Sequence, residues 1–215
     1  MPTRRTLPWM LILLCSAAPL CAAPPEAPDP GWILQKLARP APVSTDFIEL
    51  RGSALLKAPL RVQGQYRRPD NDTLVREVTS PYRETTTLKD GQATLQRDGK
   101  PPRRFSLARA PELAGLQNGF GALLSGDLAR LQQHYALRSE GTRERWQLQL
   151  QPRDAALAAQ VRELRLYGRG AELRCIETTP AKGEVQRTLL AGAARDAARI
   201  DAAAALTALC HGDAR

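Results

Sequence analysis

The spacing of apolar and polar positions changes period several times along this chain of 215 residues. After Gly31, Trp32, Ile33, Leu34 and Leu37 fall at near-helical spacing until Pro40 and Pro42, which predicts a short N-terminal helix. From Phe47 onward the runs shorten. They are punctuated by Pro69-Asp70-Asn71-Asp72, Ser80-Pro81, Asp90-Gly91 and Asp98-Gly99-Lys100-Pro101, the pattern of antiparallel strands joined by hairpins. The stretch from Arg145 to Gln151 alternates strictly and places Trp146, Leu148 and Leu150 on one face of a strand. Leu164 and Leu166 repeat this before a turn at Gly168-Arg169-Gly170, Leu173 and Cys175 repeat it after, and Val185 to Leu190 adds a further strand. These runs predict a meander folded into one curved sheet.

Between the two groups of strands the period is helical again. Leu113, Leu116, Phe120, Leu123 and Leu124 form an apolar stripe on a helix starting near Pro111. Gly115, Gly119 and Gly121 dilute it, each at roughly 0.5 to 1 kcal/mol relative to alanine, so this helix needs docking to be stable. Asp127 is placed to cap a second short helix carrying Leu128 and Leu131. An alanine-rich segment, Asp196 to Leu209, predicts a continuous C-terminal helix.

Residues 1–22 have Arg4 and Arg5, a short apolar run and then small residues, the order of a signal peptide cut after Ala22. Neither Cys15 nor Cys21 follows the small residue that lipid attachment requires, so the expected product is soluble and exported. Residues 23–30 are a Pro-rich flexible leader, and 31–215 form a single domain. The cysteines left after processing are Cys175 and Cys210, an even pair that suggests a disulfide in an oxidising compartment, with two buried thiols as the alternative. His134 and His211 are the two histidines and share no ligand spacing with both cysteines, so no metal site is expected.

The formal charge is +9 and falls by two when the signal is lost. An excess of arginine in an exported protein points to an anionic membrane surface or lipid headgroup rather than to nucleic acid. Arg67, Arg68, Arg83, Arg97, Arg103 and Arg104 crowd the first hairpins, as a headgroup site or as a solvated rim.

An ordered set of residues carries a resemblance: Phe47-x-Glu49-x-Arg51, Leu55-Leu56, Pro59-Leu60, Gly64, Pro69, Leu74, Arg76, Pro81 and Glu84, then Asp90-Gly91, Leu124-x-Gly126-Asp127, Trp146-x-Leu148-x-Leu150-x-Pro152 and Gly168. It resembles the LolA-like periplasmic lipoprotein carriers, most closely their LolA-related branch. The resemblance implies an α+β fold, an incomplete (unclosed) antiparallel β-barrel or strongly curved sheet with helices as a lid. It also implies a periplasmic monomer, without cofactor or catalytic residues, that takes an acylated lipoprotein or glycolipid from an inner-membrane donor complex to an outer-membrane acceptor. The lipid would lie against Leu74, Trp146, Leu148, Leu150, Leu164 and Leu166 of the sheet and against Leu113, Leu116, Phe120, Leu123 and Leu124 of the lid. Arg68-Pro69 resembles the carriers' Arg-Pro pair, whose arginine holds the lid by hydrogen bonds to helix backbone; Arg67 is the alternative. Leu74 and Arg76 replace the carriers' aromatic residues, and the alanine-rich segment replaces a C-terminal strand region. The cargo stays open, because the branch has been linked with glycolipid and aryl-polyene pigment export.

Two other classes compete. An envelope hydrolase acting on lipid or glycan would need a nucleophile or an acid pair; there is no G-x-S-x-G elbow and no phosphate loop, which leaves Glu49 with Glu84, or His134-Tyr135, as candidates. A structural envelope protein that binds nothing would have its sheet packed solid.

Overall fold

The computed structural model describes residues 26–51, 59–109, 122–200 and 202–212. The signal segment 1–22, most of the lid stripe (Leu113, Leu116 and Phe120) and the Leu55-Leu56 pair lie outside the described residues. Helix α1 (Pro30–Leu37) starts at Pro30 rather than after Gly31. The Asp29 carboxylate accepts the amides of Gly31 at 2.7 Å and Trp32 at 3.2 Å, and a proline in the first turn forgoes no intrahelical bond. Ile33, Leu34 and Leu37 are its buried side.

Six strands follow: β1 (Val43–Arg51), β2 (Leu60–Arg68), β3 (Leu74–Ser80), β4 (Glu84–Lys89), β5 (Gln92–Arg97) and β6 (Arg103–Ser106). A helical turn at 122–125 leads to α2 (Leu128–His134), capped by Asp127, whose carboxylate accepts the Arg130 amide at 2.9 Å. Next come β7 (Tyr135–Gly141), β8 (Trp146–Pro152), α3 (Ala155–Ala158), β9 (Val161–Arg169), β10 (Glu172–Pro180) and β11 (Gln186–Leu190), then α4 (Ala191–Asp196), a 3-10 turn (Ala197–Arg199) and α5 (Ala203–His211). The 11 strands form one antiparallel sheet ordered β6-β5-β4-β3-β2-β1-β11-β10-β9-β8-β7. Two meanders therefore join where β1 pairs with β11, and β6 and β7 are the outer strands of an unclosed sheet.

Alternation sorts β1 between two cores. Phe47 joins a cluster that unites Leu88 and Ala93 of β4 and β5 with Leu148 and Leu150 of β8, strands far apart in the sheet order. Side chains of such distant strands meet only if the sheet bends toward them, so this face is the concave one. Helices α1 and α2 and the turn at 122–125 cover it with Ile33, Leu34, Leu131 and Leu123. Ile48 and Leu50 point the other way, into a second core with Cys175 and Leu189 beneath Ala193, Ala194, Leu206 and Leu209. At roughly 1.5 to 3 kcal/mol for each large apolar side chain fully buried, both faces contribute substantially to stability.

Three local expectations change. Gly168 lies inside β9 rather than in the turn, which falls at Gly170 and Ala171. A Cβ on Gly168 would sit 2.0 Å from Cζ2 of Trp146, so the glycine makes room for the indole. Leu173 and Cys175 do not share a face: a bulge between them sends Leu173 to the concave core and Cys175 to the convex one. There Cys175 is bonded to Cys210 and ties α5 to β10. The alanine-rich segment is split, with Ile200 in extended geometry between the 3-10 turn and α5. Ile200 packs on the convex core, and the Arg61 guanidinium donates to the carbonyls of Ala197, Ala198 and Ile200, satisfying groups that a continuous helix would have bonded itself.

Candidate functional site

The concave core is not solid. A cavity of about 370 Å³ lies within it, lined by Leu74, Leu88, Leu95 and Phe105 of β3 to β6, by Leu150, Leu164, Leu166 and Ile176 of β8 to β10, and by Leu123, Leu157 and Tyr135. That volume falls in the range of about 300 to 1,000 Å³ usual for small-molecule sites. A smaller cavity of about 150 Å³ shares Tyr66, Leu74 and Leu123 with it and continues toward the end of α1 past Leu37, Leu124, Leu173 and Leu190.

One wall of the larger cavity is charged. Phe47, Glu49 and Arg51 share the concave face of β1, and Glu49, 5% exposed, accepts hydrogen bonds from Arg51 and, at 2.8 Å, from Arg76 of β3. Gly64 of β2 stands opposite Phe47, in register between the strands that carry Glu49 and Arg76, and presents no side chain there. A Cβ at 64 would meet the Glu77 carbonyl oxygen at 1.8 Å, so the close strand approach at this bulge requires glycine. The Arg76 guanidinium lies 4.8 Å from the centre of the Phe47 ring, a cation–π contact, and the Tyr66 and Phe47 rings are 4.8 Å apart. Burial, reinforced by the Glu49 charge, pushes the Tyr66 hydroxyl up to about 12, outweighing the opposing effect of Arg76, so Tyr66 is a neutral phenol. Thr86, Gln186, Thr188 and Thr178 add uncharged polar groups to the same lining.

Beside the smaller cavity, Arg68 is buried and donates to the Asn71 side chain at 2.9 Å and to the Arg39 carbonyl at 3.3 Å; its Nε is buried without a partner. Arg39 follows α1, and its own amide donates to the Leu124 carbonyl at 2.9 Å. Arg67 also borders the smaller cavity, but its guanidinium pairs with Glu77 at 2.9 Å on the surface.

The family model described as outer membrane lipoprotein carrier protein LolA-like matches residues 22–214. The chain belongs to the LolA-like family. Among solved structures, the LolA superfamily protein NE2245 from Nitrosomonas europaea is 14% identical, with 74% of this chain and 89% of that chain aligned at a TM-score of 0.39. MucB, solved in complex with MucA(peri), is 19% identical, with 75% of this chain aligned at a TM-score of 0.32; the chain spans about half of its length, 54%. A comparison with the curated proteins gives no match.

Within this LolA-like chain the fold distributes the expected lining residues unequally. Leu74, Leu123, Leu150, Leu164 and Leu166 line the larger cavity, and Leu124 the smaller one. Trp146 and Leu148 line neither: they are packed into the core, with the indole Nε1 donating to the Gly170 carbonyl at 2.9 Å. The acid pair considered for hydrolysis is committed to arginines, Glu49 as described and Glu84 through Arg97 Nε at 3.0 Å. Reading one strand at a time misses the Glu49–Arg76–Tyr66 centre, because its members meet only across β1, β2 and β3. The available signal was a charge at every second position beside Phe47 on a strand whose other face is apolar.

Proposed function

We propose that this LolA-like protein is a periplasmic carrier that shields the acyl chains of a lipoprotein or glycolipid and ferries it from an inner-membrane donor complex to an outer-membrane acceptor. The observation that carries the reading is the leucine-rich cavity on the concave face. Hiding a methylene is worth about 0.8 kcal/mol, so a chain of roughly sixteen carbons faces on the order of 12 kcal/mol in crossing water bare. A concave sheet walled by leucine supplies that apolar surroundings, and the turn at 122–125 sits over it as part of a lid. The signal-like residues 1–22 and the Cys175–Cys210 bond support export to the periplasm. No helix among the described residues is long and apolar enough to cross a membrane, which fits a ferry that leaves the bilayer.

Native mass spectrometry of protein taken from the periplasm tests this, with a lipid adduct as the expected result. The Leu164→Glu variant, which puts a charge into the cavity wall, should lose most of the adduct and bind a fluorescent fatty acid at least about tenfold more weakly. Protein free of lipid, with a fatty-acid probe that binds neither form, would sink the carrier reading.

A further inference from the structure

We propose that the cavity selects an amphiphile with an anionic headgroup, a carboxylate or phosphate on an acyl chain, and receives that group against Arg51 and Arg76. The inference rests on the carrier reading and deepens it, since it names the chemistry of the passenger. Its basis is the ion pairing at one corner of the cavity wall. Two guanidiniums, Arg51 and Arg76, share the one carboxylate of Glu49. The remaining charge in the lining, Glu84, is neutralised by Arg97, and Tyr66 is a neutral phenol. The lining itself balances, two arginines against two glutamates, but Glu84 is bound to Arg97 from outside it, so around Glu49 two guanidiniums face one carboxylate and that corner of the wall is locally positive.

A guanidinium at the edge of an apolar cavity keeps its water until an anion takes its place, so a ligand of opposite sign is favoured there over a neutral one. The two arginines differ in how they can receive it. Arg76 is held by Glu49 and by the Phe47 face, with its side chain 12% exposed, whereas the Arg51 side chain is 38% exposed and keeps donors available beyond its bond to Glu49. Guanidinium donors, flanked by Thr188 and Gln186 in the same lining, suit an oxyanion. Leu164, Leu150 and Leu157 continue the cavity away from this wall and take the chain.

The test measures displacement of a fluorescent fatty acid from the delipidated full chain at neutral pH by three sixteen-carbon probes: the acid, the alkyl phosphate and the alcohol. The acid and the phosphate should bind at least about tenfold more tightly than the alcohol. In Arg51→Gln that ratio should fall to about one. In Arg104→Gln, which removes an exposed cation outside the cavity lining, it should persist, separating a local site from general attraction to a basic protein. Equal affinities for acid and alcohol in the unaltered protein, or a preference that survives Arg51→Gln, would overturn the inference and leave the carrier standing. Displacement by inorganic phosphate alone at the concentrations where the alkyl phosphate acts would overturn it too, by showing an anion site with no tail. If none of the three chains displaces the fluorescent probe, both readings fail.

Discussion

Arg68 and Leu124 are joined through one intermediate residue: the Arg68 guanidinium donates to the carbonyl of Arg39, and the amide of Arg39 donates to the carbonyl of Leu124. The arginine thus reaches the turn at 122–125 through a residue just past α1. Replacing Arg68 with Leu should speed hydrogen exchange at the Arg39 amide by about ten- to a hundredfold, the loss of one or two charge-assisted bonds of about 1.5 to 3 kcal/mol. Lys should restore part of the protection, because it lacks the planar fork. Arg67→Leu should leave it unchanged, since its surface pair with Glu77 is worth no more than about 1 kcal/mol. Equal exchange in both leucine variants would remove Arg68 from any latch.

Gly168 and Trp146 form a matched pair across β9 and β8. Gly168→Ala should destabilise the protein by about 1 to 3 kcal/mol in urea unfolding, through displacement of an indole that has no room to move. Shortening the indole in Trp146→Leu should make the second change cheaper, so the double variant should cost less than the sum of the singles. Additive losses would show that the crowding is relieved some other way.

The Cys175–Cys210 bond closes a loop with a sequence separation of 35. Constraining that loop in the unfolded chain is worth roughly 3 to 4 kcal/mol. A Cys210→Ser variant should lose about that much in denaturant unfolding, with early exchange in α5. It should still bind the fluorescent fatty acid, because the bond lies in the convex core, on the face of the sheet opposite the cavity.

Glu177 on the convex face should give the protein an acid-sensitive stability. Its burial opposes ionisation, but hydrogen bonds from His211 at 3.0 Å and Tyr167 at 2.8 Å, with the Arg187 charge, outweigh it and hold the carboxyl below its ordinary value. A folded-state value below the unfolded one stabilises the native state above the ordinary glutamate range, near about 4.3, and that contribution disappears as pH falls through the lower folded value. The urea midpoint should therefore drop between about pH 5 and pH 3, and Glu177→Gln should flatten that part of the profile. An unchanged profile in the variant would assign the acid sensitivity to other carboxylates.

Much of the architecture was legible in the chain itself. Strict alternation in Trp146–Leu150, the Asp90-Gly91 turn with both residues at positive φ, and Asp127 ahead of Leu128 are local signals, each read from a few neighbouring residues. The resemblance supplied the kind of fold, and the family match agrees with it. Where expectation and structure part, as at the bulge beside Cys175 and the break at Ile200, long-range packing overrode a local period or propensity.

The sequence by itself determined which segments are strands, where hairpins turn, which faces are apolar, and which cysteines are available to pair, because those properties follow from side-chain spacing and backbone preference over a few residues. Only the tertiary structure decided that the first and last strands of the two meanders meet at β1 and β11. It also decided that the resulting bend leaves a cavity instead of a filled core, and that Glu49 is shared by Arg51 and Arg76 inside it. The physical reason is that cavity shape and charge balance depend on distances between residues remote in sequence. Leu95 and Leu164 wall the same space, and nothing in the local pattern around either fixes how far apart they end up.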